Sequence, residues 1–282
     1  MVFSPGGSQN NRQTAAVDVH YGMMKTLDYY LNVRQRNGID GANLRIAAAA
    51  HYGDHYNNAN WNAGGIALFG DGNLSNRGPL TSVDVVGHEI THGVTQKSAH
   101  LGFTGESGAA NESFSDIFGT AVEWYVRAQQ GQQGNYLVGE DTSLPTPGVG
   151  IRNLANPPSI SYTYDPDGPN GPIVPVTFPF PDHLDKEAHD FTVTDYWDGG
   201  VHENSTIQSK AFYLLAEGGT HPYSDIQVTG IGRDAAERIF YAALTSTDLA
   251  LNSQLFYHVR IATSKRSAHP LRRRQPAVQF ND

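Results

Sequence analysis

Gly87-His88-Glu89-Ile90-Thr91-His92-Gly93-Val94-Thr95 is the stretch on which the reading of this chain turns. It lies in a run, Val83–Gln96, that predicts a helix following Thr81 and Ser82, either of which supplies a capping hydroxyl. Residues four apart on a helix share a face one turn apart, so His88 and His92 can grip one ion. Glu89, beside His88, can then point at a water on that ion. Val83, Val85 and Val86 make one side of the helix apolar, as a buried metal-bearing helix requires. The competing reading is a helix with two surface histidines and unrelated acids.

A second block weighs against that competitor. Glu112 follows His92 by twenty residues, within Asn111-Glu112-Ser113-Phe114-Ser115-Asp116. The surrounding run, Gly108–Arg127, predicts another helix, on which Glu112 and Asp116 share a face. One carboxylate can complete a metal coordination shell and the other can orient a ligand imidazole. Two imidazoles, one carboxylate and a water make the open arrangement of a catalytic zinc. Composition leaves little else: with 12 His and no Cys, thiolate-held metals, disulfides and a thiol nucleophile are excluded.

Outward from these blocks the chain divides by composition. Residues 1–14 read as a disordered start, and MVFSPGGSQNNRQ has no apolar core of a secretory signal. Residues 15–37 place Val17, Tyr21, Met24, Leu27 and Leu31 at helical spacing, with Asn37-Gly38 as a stop. Leu44–His51 and Gly65–Phe69 read as strands around the polar segment Gly53–Asn62. Residues 145–181 hold ten of the 15 prolines, so 145–197 reads as a connecting loop region between lobes. His202–Glu217 and Asp234–Leu244 read as helices. The expected domains are thus 15–144, carrying both motif helices, and a helical 198–253, followed by a basic tail at 254–282. The formal charge of -9 argues against a nucleic-acid partner, and no run approaches the roughly 18 apolar residues of a membrane span.

With these blocks in hand, the chain resembles the thermolysin-like family of zinc metalloendopeptidases, from about Ala15 to Leu251. GHEITHGVT at 87–95 resembles the family's zinc helix, and GESGAANESFSDIFG at 105–119 its third-ligand helix. The resemblance implies zinc held by His88, His92 and Glu112, with Glu89 as general base and Asn111 and Asp116 behind the ligands. DGGVHENS at 198–205 resembles the segment carrying the family's catalytic histidine, here His202, a candidate donor to the oxyanion. Asn58 and Ala59, in Asn57-Asn58-Ala59-Asn60-Trp61-Asn62, fall on its substrate-binding edge strand, and Arg152 on its carbonyl-holding arginine. Leu80, Val85, Val138 and Ile151 fall near the walls of its apolar specificity pocket, which implies cleavage before bulky apolar residues, though each could be plain core. Asp84, Glu123, Asn135, Leu137 and Glu140 fall around one structural calcium, with Asn135 where an Asp is usual.

The fold implied is α+β and two-lobed, a β-rich first lobe and a mostly helical second with the zinc cleft between. A monomer acting on peptides or proteins outside the cell is implied with it. Departures exist. Phe103 stands where the family has a Tyr that hydrogen-bonds the oxyanion. Trp197 stands where it has the Asp that orients His202, and Asp198 or Asp195 would have to substitute. The first part of the β-rich lobe is not represented, and the tail is unlike the family's closing helices. A catalytically impaired fragment that binds zinc or peptide is therefore the alternative.

Overall fold

A computed structural model describes residues 12–62, 64–145, 148–164, 176–188 and 200–246. The fold is α+β. Helix α1 (Arg12–Arg34) precedes a small sheet of β1 (Ala47–Ala50), β2 (Ala59–Trp61) and β3 (Ile66–Phe69). Its order is β1-β3-β2, with β1 parallel and β2 antiparallel to β3, so β2 is an edge. Helices α2 (Val83–Gln96) and α3 (Gly105–Gln129) follow, then the paired short strands β4 (Leu137–Val138) and β5 (Arg152–Asn153). A hairpin-like pair, β6 (Ser161–Tyr164) and β7 (Val176–Pro179), leads towards α4 (Val201–Glu217), the ribbon β8 (Gly219–Thr220) with β9 (Gln227–Val228), and α5 (Arg233–Leu244).

Helix α2 has the bounds that its periodicity predicts, with Ser82 at the N-cap position, although its side chain makes no capping bond. Every residue from Val83 to Thr95 is buried. Polar groups on such a helix need internal partners. Thr91 Oγ1 bonds the Gly87 carbonyl at 2.7 Å and meets Tyr30 Oη of α1 at 2.8 Å.

The α2–α3 contact positions the site. A Cβ on Gly87 would stand 3.1 Å from Gly119 Cα, and one on Gly119 would stand 2.5 Å from the Asp84 carbonyl oxygen. The two backbones therefore touch where glycine alone fits. Glu112, Asp116 and Gly119 recur at helical spacing along α3, so this crossing turns both carboxylates towards α2. Phe114, Ile117 and Phe118 fill the core behind them, each worth about 1.5–3 kcal/mol of burial. Helix α4 packs on α3, with Ser113 Oγ and Ser209 Oγ 2.9 Å apart.

Three sequence expectations are corrected. Helix α1 begins at Arg12, inside the stretch read as a disordered start, and it ends at Arg34. Its apolar spacing picked the wrong face: Val17, Met24 and Leu31 are exposed, while Ala15, Val19, Gly22, Thr26, Tyr29 and Tyr30 are buried. The reason is close approach at Gly22, where a Cβ would lie 2.7 Å from Val86 Cβ, while Tyr29 and Tyr30 supply the large buried side chains of the same face. Third, the proline-rich region is more than a connecting loop, since β5, β6 and β7 lie in it and β5 pairs back across residue 145 to β4. The prolines avoid interior donor positions: Pro179 stands at the end of β7. Residues 1–11, Asp195, Trp197, Asp198 and the basic tail lie outside the described residues.

Candidate active site

His88 and His92 project from one face of α2 with their Nε2 atoms 3.0 Å apart. Glu112 reaches across from α3, placing Oε2 3.3 Å from His88 Nε2 and Oε1 3.4 Å from His92 Nε2. Three donors around a four-coordinate zinc, at 2.0–2.1 Å from it, stand about 3.3–3.4 Å from one another. The two imidazoles stand a little closer than that, at 3.0 Å, and Glu112 faces each with a different oxygen, so the three side chains gather where one such ion binds. Glu112 Oε2 is also buried without a hydrogen-bond partner among the described residues, an expense that a cation relieves.

The ligands are held from behind. His88 Nδ1 lies 2.8 Å from Asp116 Oδ1, and His92 Nδ1 lies 3.0 Å from Asn111 Oδ1 and 3.1 Å from Ser115 Oγ. Both contacts leave Nε2 as the metal-facing nitrogen. Arg152, on β5, donates through Nε and Nη2 to the two oxygens of Asp116 at 2.6 and 2.7 Å. His88, Asp116 and Arg152 thus form one buried chain from metal ligand to cleft wall.

Burial disfavours a charged His88, but Asp116 and Glu112 outweigh it and lift the ring to about 10. His92, with burial dominant, is pushed down to about 4. The carboxyls of Glu112 and Asp116 resist burial because His202 and His92, and Arg152, respectively hold them below the usual range. Glu89 behaves differently. It is 4% exposed, its Oε2 has no partner among the described residues, and burial pushes its carboxyl up to about 7. A carboxyl poised near neutrality beside two imidazoles suits proton transfer.

One cleft gathers almost all the remaining candidates. Asn58, Ala59, Leu80, Val85, Phe103, Val138, Ile151, Arg152 and His202 line it together with the zinc-binding group and Glu89. Asn58 and Ala59 come from the edge of the sheet, through β2. Leu80, Val85 and Val138 are core and wall at once, since each is buried while facing the cleft. His202, in the first turn of α4, brings Nε2 to 3.4 Å from Glu112 Oε2 while its side chain stays 44% exposed. Phe103 offers the cleft a half-exposed ring with no hydroxyl.

A second cluster lies at the far end of α3. Glu123, Glu140 and Asp141 bring one oxygen each to within 4.8 Å of one another. Glu123 Oε2 and Glu140 Oε2 are buried and without partners among the described residues, and an all-oxygen donor set suits calcium. Asp84 faces this cluster from α2 while accepting from the N–H groups of Val85 and Gly139. Asn135 turns its amide N–H towards Glu140 Oε1 and its Oδ1 accepts from Leu137 N, which sets Asn135 and the Leu137 backbone beside the cluster. Asp141 was not among the sequence candidates, although its place beside Glu140 marked it.

Comparison with known proteins decides the family. Residues 3–96 match the family model described as thermolysin metallopeptidase, catalytic domain, and residues 99–278 match its alpha-helical domain. The chain belongs to the thermolysin metallopeptidase family. The two matches meet between α2 and α3. Bacillolysin of Bacillus caldolyticus is 42% identical over 234 residues, covering 82% of this chain and 37% of the relative. Thermolysin of Alicyclobacillus acidocaldarius subsp. acidocaldarius has the same identity and coverage. The chain therefore spans about 37% of the length of these curated relatives. Among solved structures, the precursor of protealysin, a metalloproteinase from Serratia proteamaculans, superposes with a TM-score of 0.71. It is 29% identical, and the match covers 93% of this chain and 74% of that one. Family membership and the His88, His92, Glu112 group agree on a zinc centre.

Proposed function

We propose that this chain is a zinc-dependent endopeptidase, and that the cleft between β2, α2 and α4 is where it cuts. The observation that carries this is the donor triangle of His88, His92 and Glu112 with the unpartnered Glu89 carboxylate beside it. Zinc held there supplies a Lewis acid for the scissile carbonyl and lowers the pKa of the attacking water. Glu89 takes a proton from that water and passes it to the leaving amine. His202 donates to the developing oxyanion, a role supported by its nearness to Glu112. Arg152, locked by Asp116, presents its remaining N–H donors to a substrate carbonyl. Asn58 and Ala59 pair with an extended substrate backbone in the manner of an added strand. Leu80, Val85, Val138 and Ile151 form an apolar wall that favours cleavage on the N-terminal side of bulky apolar residues. Asp84, Glu123 and Glu140, joined by Asp141, bind a structural calcium.

The substrates are peptides or proteins in the extracellular space, met by a monomer with no nucleic-acid or membrane partner. No helix among the described residues is long and apolar enough to cross a membrane. Hydrolysis of a blocked peptide with a Gly–Leu bond, with zinc content assayed on the same sample, tests the reading. Wild-type protein should cleave it and lose cleavage to a zinc chelator. Glu89→Gln should keep zinc and lose turnover. Cleavage by Glu89→Gln at the wild-type rate would remove Glu89 as the base, and stoichiometric zinc without wild-type cleavage would favour a binding-only chain.

A further inference from the structure

We propose that Asn37 is a self-modification site, at which the folded chain converts its own asparagine into an isoaspartyl link beside the zinc helix. Asparagine is among the chemically labile residues, and the reaction needs only water as co-reactant. The Gly38 main-chain nitrogen attacks Asn37 Cγ and closes a succinimide ring, while its proton leaves with the side-chain amide as ammonia. Water then opens the ring at one of its two carbonyls. One opening gives aspartate; the other routes the main chain through the former side chain and leaves a free α-carboxylate. Both reacting groups are unengaged here. Asn37 is exposed just past the end of α1, and among the described residues no hydrogen bond holds its side-chain amide. No group among them accepts the Gly38 N–H either. Gly38, at φ 72°, sets no Cβ beside the attacked carbon. The turn is closed around the pair instead, by the Asn43 N–H donating to the Asn37 carbonyl at 2.7 Å.

Asp40-Gly41, in the same turn, is an internal contrast. Its side chain could close the same ring, but Oδ1 accepts from the N–H groups of Leu44 and Ala42 at 3.0 and 2.8 Å. Those bonds, that of Leu44 first, hold the carboxyl below its usual range, and a tethered carboxylate is a poor target for a main-chain nitrogen. Position gives the Asn37 reaction its consequence. Ile39 is 1% exposed, and its Cδ1 lies 3.2 Å from where a Cβ on Gly93 would stand, next to His92. Arg36 clamps that seat: Nε and Nη2 donate to the Ile39 carbonyl at 3.1 and 2.6 Å, and Nη2 reaches Ser98 Oγ, past the end of α2, at 2.9 Å. An isoaspartyl link inserts an extra main-chain carbon between Arg36 and Ile39, the span that this clamp closes. Close-packed interiors take up little such slack, so conversion loosens Ile39 against α2.

Peptide mapping by mass spectrometry tests this on full-length, zinc-loaded protein aged in mildly alkaline buffer, with Glu89→Gln in the background so that self-cleavage does not intervene. The Asn37 peptide should lose ammonia and gain isoaspartate as fast in the folded protein as in the same chain unfolded in urea. Asp40 should form isoaspartate in urea only. Asn37→Gln, whose longer side chain closes the ring poorly, should show no conversion there. The other Asn-Gly pair, Asn170-Gly171, lies outside the described residues and is read in a separate peptide. Converted protein, separated by its added charge, should melt lower and release zinc to a chelator faster than unconverted protein, and Asn37→Gln aged alongside should do neither. Conversion of Asn37 in urea but not in the folded protein would overturn the proposal. Isoaspartate at Asp40 in the folded protein, at the Asn37 rate, would overturn the argument from free and tethered side chains. Equal melting and equal zinc release in the two fractions would overturn the link through Ile39 to α2.

Discussion

Asp116→Asn is the perturbation that most severely tests the architecture of the site. Asp116 is fully buried and serves two masters: His88 Nδ1 at 2.8 Å and the Arg152 fork at 2.6 and 2.7 Å. An asparagine keeps the size, and its carbonyl can still accept from one neighbour. Its amide N–H groups then oppose the donors of the other, and the carboxylate charge is gone. Arg152, 7% exposed, is left as a buried cation facing a donor. Breaking a buried pair in this way costs on the order of 3–5 kcal/mol, roughly 10 °C in melting temperature for a domain of this size. Loss of the carboxylate behind a metal-ligating histidine lowers metal affinity by about 10–100-fold. Thermal unfolding and zinc competition against a chromophoric chelator read these two effects separately. Adding Arg152→Met to the first change removes the stranded cation, so the double variant should recover most of the stability and none of the zinc affinity. A single variant that melts within 2 °C of wild type and holds zinc within about threefold would refute the claim that the chain of contacts is energetically connected.

Further outcomes follow from neighbouring features. Glu89 is lifted by burial to about 7, so the zinc-free folded protein holds a proton there that the unfolded chain has released, and stability falls as pH rises from about 4.5 to 7. Glu89→Gln should therefore stabilise zinc-free protein by about 2–3 kcal/mol at pH 8 and by almost nothing at pH 4; equal denaturant midpoints at pH 8 would contradict it. Gly119→Ala drives a methyl to 2.5 Å from the Asp84 carbonyl oxygen and should cost about 1–3 kcal/mol in urea unfolding, together with weaker zinc retention; unchanged stability would mean the helices can separate freely. Phe103→Tyr should raise kcat by about 5–10-fold without changing KM, because it returns a hydroxyl to the cleft wall; a change confined to KM would assign the ring to substrate binding alone.

The legible parts of the chain were those where one residue type answers one need. Helix α2 could be bounded at Val83 and Gln96 because valines and paired histidines keep a single periodicity along it. The His88 and His92 pair followed from spacing and the choice of Glu112 over Asp116 from the resemblance, and one cleft lines up most of the substrate-side residues named with them. Helix α1 was legible as a helix but not in its orientation. Its core face mixes small Ala15, Gly22 and Thr26 with Val19, Tyr29 and Tyr30, so close approach to α2 at Gly22 comes without a regular apolar stripe to read. Strands β4 and β5 are two residues each and owe their existence to pairing across the chain, which no local pattern announces. Arg127 escaped notice because an arginine one turn after a glutamate reads as a common surface pair, and its contact with Glu140 becomes visible only once the short helical turn Glu140–Thr142 folds back beside α3.

The glycine contact between α2 and α3 acts as a gauge on the ions this protein will accept. Backbone atoms of Gly87 and Gly119 meet directly, so the helices have a hard stop on one side, and the packed phenylalanines of α3 hold them against it from the other. Two donors ride on one helix and the third on its neighbour, so the spacing of the helices bounds how far apart the donors can stand. A small four-coordinate ion meets donors that already stand close together. A larger one must pry apart close-packed helices before it can be gripped, and dense interiors yield little to such strain. Two glycines that touch no metal thus help to fix the room its ligands leave.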